Sequence, residues 1–316
     1  MESKLTVIVM TYNQANYIKQ CLDSILCQKI NINFDVLVHD DCSNDGTYEI
    51  LLDYQKQYSN IHIIHEKDRQ FLKLGFNKMI YENVVPCINS KYVAYCDGDD
   101  YWCDDHKLQK QYDFMETHKD YSMCFHSAYQ LKNNNEMSSK WFFGDEEDID
   151  MSLLINDEPG IRIATSSIFL RSDVFKDFPN WRLNFPVEDV PMYMNALLKG
   201  KIHRLKDIMC VYRQFANGSW STQNKNDIVR KLNHINSIIN STQEFNVETN
   251  YKYNDLVKKQ ILNCEFRIYY LNRDFPNLFQ KKFKYLFRRL PFKERISLKL
   301  QYRMPKLYKT IHKRGK

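Results

Sequence analysis

Glycine and proline are scarce in these 316 residues, eight of each. That scarcity excludes collagen-like repeats, flexible linkers and low-complexity tracts. With 43% hydrophobic and 14% aromatic residues, the chain carries enough apolar material for a folded core. Long apolar runs are also missing: nothing approaches the roughly 20 residues that span a bilayer. The N-terminus passes from MESK directly into LTVIVM without a signal-peptide core, so the chain is expected in the cytoplasm. Nine cysteines occur without a C-x-x-C pair, and they read as reduced small hydrophobes, neither a disulfide framework nor a zinc site. His39, His126 and His203 have no ligand-like spacing and read as structural. Neither G-x-G-x-x-G nor a Walker A loop is present, which removes the main support for dinucleotide and ATP binding.

Charge is abundant but unevenly placed. The net +6 conceals a division: residues 281–316 hold 14 Lys/Arg against the single acid Glu294, a net +13, leaving −7 on the rest. Phe283, Leu286, Phe287, Leu290, Ile296 and Leu298 interleave with those cations. The mixture fits an interfacial amphipathic helix, which an anionic leaflet attracts by about 1 kcal/mol per cation. A solvated basic helix that aids solubility fits the same residues.

The first hundred residues alternate between two periods. Leu5–Met10, Phe34–Val38, Ile61–Ile64 and Lys91–Cys96 are short apolar runs of strand length. Between them, Tyr17, Cys21, Leu22, Ile25 and Leu26 recur at helical spacing, as do segments near 47–58 and 76–85. Strands alternating with helices imply a mostly parallel α/β sheet covered on both faces. Further on, the patterns predict helices over 107–118 and 189–198 and strands over 122–129, 163–170 and 208–212. Residues 132–150 are polar and acidic, as in a surface excursion. From about Asn224 the pattern is helical, so residues 1–222 are expected to form the α/β body and 223–316 a helical region with the basic tail.

In such sheets ligands bind beyond the carboxyl ends of the strands, where the polar clusters fall. Thr11 and Tyr12 follow the first strand, Asp40 and Asp41 the second, Arg69 and Lys73 the third, and DGDD (97–100) the fourth. Asp97, Asp99 and Asp100 repel one another unless a cation sits among them. All-oxygen ligation selects Mg or Mn over zinc or copper. Such a metal keeps positions for phosphate oxygens, which points to a diphosphate ligand. A solvated acidic turn is the alternative for an isolated D-x-D.

Together, TVIVMTYNQANYIKQCLDSILCQ (6–28), FDVLVHDDCSNDGT (34–47), KYVAYCDGDDYW (91–102), EDVPMYMNALLKGKI (188–202) and VYRQFANGSWS (211–221) resemble the family 2 glycosyltransferases, inverting enzymes of the Rossmann-like GT-A fold. The resemblance covers about residues 4–222. It implies that Met10, Thr11, Tyr12 and Asp41 hold the nucleoside and that Asp97 lies near the ribose. Asp99 or Asp100 would hold Mn2+ or Mg2+, and Asp189 would be the catalytic base. Met10 stands where proline is common, and Glu188 where the family has Gly or Glu. Arg69 and Lys73 are candidates for the diphosphate; Glu188, Tyr212, Arg213 and Trp220 are candidates for sugar or acceptor contacts. The implied reaction moves a sugar from a nucleoside-diphosphate donor, UDP-linked by expectation, to a saccharide or lipid-linked saccharide in bacterial surface polymers.

The basic tail would then meet an anionic membrane surface on the inner face of the cell membrane, with no nucleic acid expected. Two other readings compete. A sugar-phosphate nucleotidyltransferase would want a Gly-rich loop after the first strand, which MTYNQANY lacks. A non-enzymatic nucleic-acid or membrane binder would act through the tail alone.

Overall fold

The computed structural model describes residues 3–132, 137–138, 147–155, 163–214 and 227–308. The chain divides into two compact units, 1–225 and 226–316. The boundary expected at 222/223 lies outside the described residues.

Among the described residues, the first unit is built on one ten-stranded sheet. Its strands are β1 (Leu5–Thr11), β2 (Phe34–Asp40), β3 (Ile61–His65), β4 (Tyr92–Asp97), β5 (Tyr101–Trp102), β6 (Tyr121–Leu131), β7 (Met137–Ser138), β8 (Asp148–Ile149), β9 (Phe169–Arg171) and β10 (Lys201–Arg213). The order is β3-β2-β1-β4-β9-β6-β10-β5, with β7 on β6 and β8 on β10. β3, β2, β1 and β4 run parallel. β1 is buried along its whole length and β4 as far as Cys96, which is why both read as continuous apolar runs. Leu5, Val7, Val9, Tyr92, Ala94 and Cys96 join one core layer. Ile8, Met10, Val93 and Tyr95 join the other, as the twofold strand period requires.

The Ile18–Leu26 helix buries Ile18, Cys21, Leu22 and Ile25 at the spacing of one helical face. Two expectations change. The strand expected over 163–170 is reduced to Phe169–Arg171, antiparallel to both β4 and β6. Ser167 Oγ bonds the Ala164 carbonyl at 2.6 Å, and such local hydroxyl bonding bends Thr165–Ser167 into a 3₁₀ turn. The strand expected over 208–212 begins at Lys201, and its register against β6 shifts around Leu205–Cys210. That irregular pairing hides its apolar period.

All nine thiols are free. His39 pairs with Glu66 at 3.1 Å, His126 is buried against the Ser127 carbonyl at 2.8 Å, and His203 bonds Asp148 at 2.7 Å.

The second unit is helical. Asp227 caps the Ile228–Glu248 helix by accepting from the Arg230 backbone at 3.0 Å, and the Asn254–Asn272 helix packs against it. Shorter helices follow at Phe275–Leu278, Lys284–Arg289 and Phe292–Arg303. Phe266, Leu278, Phe283 and Leu298 form their buried centre. No described helix is long and apolar enough to cross a membrane.

Candidate active site

The parallel strands deliver their carboxyl ends to one edge of the sheet. Asp97 ends β4 beside Met10 of β1, and strand alternation turns it to the side of Val93 and Tyr95. Gly98 follows, and its N–H donates to the Met10 carbonyl at 2.9 Å. A Cβ at Gly98 would lie 2.4 Å from Gln14 Oε1 and 3.0 Å from Thr11 Cβ. Any side chain here would push Gln14 aside and crowd Thr11, so glycine lets the DGDD turn lie close against the end of β1.

Five carboxylates share this region. Asp97 is held well above the usual carboxylate range, first by burial and then by the charges of Asp100, Asp99, Glu188 and Asp189. Burial also raises Asp99, against its own backbone N–H and the Arg213 charge. Asp100 is fully buried and is pushed up to about 8 by burial and by Asp99. Both of its oxygens accept hydrogen bonds, from Ser166 Oγ at 2.6 Å and from the Arg213 backbone at 2.9 Å. Ser166 also accepts from the Asp97 backbone at 3.3 Å, and its carbonyl accepts from Trp102 Nε1 at 2.9 Å. Arg213 closes the far side of the turn: its guanidinium donates to the Asp99 carbonyl and to Gln20 and lies 4.8 Å from the Tyr101 ring.

Asp189 opens the Asp189–Lys199 helix, and its Oδ1 accepts from the Val190 N–H at 2.9 Å. Burial raises its pKa against that bond. Glu188 beside it is buried and accepts from Tyr95 at 3.1 Å through Oε2, while Oε1 has no hydrogen-bond partner. Burial lifts Glu188 to about 7, against the pull of Arg182 and the Tyr95 hydroxyl. Arg182 is itself fully buried. It lies 3.7 Å over the Phe178 ring and donates to the Asp177 carbonyl at 2.7 Å. Tyr212 is half-buried, and its hydroxyl is raised by burial and by Asp100, Asp97, Asp99 and Asp189.

A second group forms where β1 and β2 end. Arg69 donates to Asp41 at 2.8 Å and stacks 3.3 Å over the Tyr12 ring. Asp41 also accepts from the Gln70 backbone at 2.6 Å, so Tyr12, Asp41 and Arg69 form one stacked, ion-paired group. Asn13 and Cys42, just beyond the two strands, hold φ of +52° and +65°, conformations that cost energy in non-glycine residues. The Asn13 N–H bonds Ser43 Oγ at 2.8 Å, and Asn13 Oδ1 accepts from the Asn44 backbone at 2.9 Å.

Residues 6–178 match the profile of "Glycosyl transferase family 2". The chain belongs to that family. An uncharacterized protein of Mycobacterium tuberculosis (strain ATCC 25618 / H37Rv) is 27% identical over 222 residues, 68% of this chain. The match spans 60% of that relative's own length. The Escherichia coli protein named UDP-Glc:alpha-D-GlcNAc-diphosphoundecaprenol beta-1,3-glucosyltransferase WfaP is 24% identical over 237 residues, 74% of this chain and 86% of that one. Staphylococcus aureus TarS 1-349, crystallised with UDP-GlcNAc, aligns with a TM-score of 0.61 at 20% identity, over 92% of this chain and 77% of that one. The fold is thus the GT-A type the motifs imply. Family membership leaves the nucleotidyltransferase and purely non-enzymatic readings without support.

In this family 2 chain, Asp97, Asp99, Asp100, Glu188, Asp189 and Tyr212 fall within one electrostatic neighbourhood. Met10 and Thr11 lie beside it at the end of β1. Lys73 is not brought to the Asp41–Arg69 group: it is exposed and pairs with Asp68 at 2.7 Å. Trp220 lies outside the described residues. Sequence reading overlooked Ser166, Gly98 and Arg182. Only Ser166 carried a visible sign, three hydroxyl residues inside the apolar run IATSSIFL. A separate cluster, Asp104, Asp105 and His106, brings three possible metal-ligand atoms within 4.8 Å of one another. Lys110 already neutralises Asp104 at 2.8 Å, and Lys29 pairs with Asp105.

Proposed function

We propose that the chain transfers a sugar from a nucleoside diphosphate, UDP by preference, to an acceptor hydroxyl with inversion at the anomeric carbon. The acceptor is a saccharide or lipid-linked saccharide of bacterial surface-polysaccharide or glycolipid synthesis. The observation that carries this reading is the meeting of Asp97 and Asp99, at a strand end, with Asp189, some 90 positions downstream, in one partly exposed acidic field. Mutually repelling carboxylates with oxygen-only donors suit Mg2+ or Mn2+, so the donor set fits such an ion. Asp99 is the ligand we assign. Asp100, sealed between Ser166 and Arg213, braces the turn. When bound, the ion would offset negative charge developing on the departing diphosphate.

The remaining work falls to the chain's own groups. Tyr12 and Asp41 receive the nucleoside, with Arg69 fixing both, and Met10 and Thr11 supply the neighbouring backbone. Asp97 holds the ribose. Asp189 accepts the proton of the acceptor hydroxyl as that oxygen attacks the anomeric carbon, while Glu188, Tyr212 and Arg213 shape the sugar and acceptor side. Residues 281–316 hold the enzyme at an anionic surface on the cytoplasmic face of the membrane. The test is nucleotide release by the purified chain across a panel of nucleotide sugars with Mn2+, with product configuration read by NMR. Release from one donor with an inverted product is expected. No turnover and no binding of any nucleotide sugar overturns the reading, and a retained configuration removes Asp189 as base.

A further inference from the structure

The second unit contains a cavity of about 420 Å3, within the range of ligand pockets. Its floor is apolar: Leu278 and Phe283 are fully buried there, with Phe279 and Phe287 half-buried beside them. Phe279 and Phe287 meet edge to face at 5.1 Å. At the mouth, Phe292 is 68% exposed and Ile296 42%, one helical turn apart on the same face. The rim is cationic, formed by Lys281, Lys284, Arg288, Arg295 and Lys299. Among the described residues no carboxylate lines the cavity. Nor does any of these five cations form an ion pair with one, whereas neighbouring Lys282 is paired with Glu265 at 2.6 Å.

Five unpaired cations around a hydrocarbon floor are complementary to one chemistry, an anion joined to an apolar chain. We propose that this groove is a binding site for a single anionic phospholipid of a membrane surface, with its phosphate among Lys284, Arg288 and Arg295 and the start of an acyl chain over Phe279 and Phe287. A free phosphate would leave the floor unused. A nucleic acid would stack on the aromatic rings, but Phe292 and Ile296, exposed one turn apart on a helix face beside the cations, form the pattern of an interfacial helix and favour lipid. The site deepens, and rests on, the reading that residues 281–316 meet an anionic membrane. Sugar transfer stands or falls separately, because nucleotide-sugar turnover can be measured without vesicles.

The test is co-sedimentation of the full chain with phosphatidylglycerol vesicles and with phosphatidylcholine vesicles, at physiological ionic strength. Binding to the anionic vesicles alone is expected. The groove pair Lys284→Gln/Arg288→Gln should weaken it by roughly thirtyfold, from the attraction lost with two cations. Phe292→Ser, at an exposed position that leaves folding intact, should weaken it further. The control pair Lys293→Gln/Arg303→Gln removes the same charge from exposed residues outside the groove, and should weaken binding several-fold less than the groove pair. Equal losses from both pairs would mean diffuse attraction and overturn the site. So would an absence of vesicle binding, full displacement by inorganic phosphate, tighter binding to RNA than to vesicles, or occupation of the groove by a second copy of the chain in a lipid-free dimer. Loss of vesicle binding with intact nucleotide-sugar turnover in the groove pair would confirm the site independently of the catalytic assignment.

Discussion

Glu188→Gln separates the cost of burying a charge from the benefit of its partners. Glu188 is 6% exposed, receives one hydrogen bond from Tyr95, and has its pKa raised to about 7 by burial despite Arg182. In the unfolded chain the same group titrates near 4.5. Between those values the folded protein keeps a proton that the unfolded chain has released, so raising the pH through this window favours unfolding. The accumulated cost is about 3 kcal/mol once the pH exceeds 7. Glutamine mimics the protonated side chain at every pH and can still accept from Tyr95. Urea denaturation at a series of pH values from 4 to 8.5 should therefore show near-equal midpoints for wild type and E188Q at the acid end. The variant should pull ahead progressively and level off above neutrality. A variant that instead loses stability as the pH rises would show that Glu188 is charged and held by Arg182, and the account of this site would fail.

Three further outcomes follow from the site. Asp189→Asn should lower transfer by about 10² to 10⁴, the share general-base catalysis supplies, and leave nucleotide-sugar affinity intact by calorimetry; a large fall in donor affinity would contradict the base assignment. Asp99→Ala should weaken Mn2+-supported donor binding in the same titration, and unchanged affinity would remove Asp99 from the metal. Gly98→Ala forces a methyl group against Gln14 and Thr11, so it should cost about 1–3 kcal/mol of stability and reduce donor affinity; a neutral variant would show that the close approach of the two strand ends is dispensable.

What the sequence disclosed, and what it withheld, divides along a physical line. β1 and β4 were legible because burial on two faces leaves an unbroken apolar run, and the DGDD carboxylates because clustered like charge is anomalous wherever it occurs. Each signal is local. The 163–170 segment misled because its apolar residues suggest an extended strand, while the local bond from Ser167 Oγ to the Ala164 carbonyl folds Thr165–Ser167 into a turn whose Ser166 donates to Asp100. Nothing within that segment encodes Asp100, 66 positions upstream. Lys73 shows the converse: a loop cation suggests a phosphate ligand from sequence, and in the fold an exposed carboxylate, Asp68, pairs with it at 2.7 Å.

Asp97, Asp99 and Asp100 look interchangeable in sequence, and their surroundings make them unlike. Asp100 is enclosed by a hydroxyl and a backbone N–H from two remote segments, whereas Asp97 and Asp99 keep a minor part of their surface open to solvent. Because the enclosing groups come from the residues before β9 and the end of β10, the part each carboxylate plays depends on the mixed half of the sheet, where the apolar pattern was least regular. The composition of the acidic cluster is thus a local property, and the division of labour within it a tertiary one. A change such as Ser166→Ala, with no carboxylate touched, is therefore a perturbation of the active site.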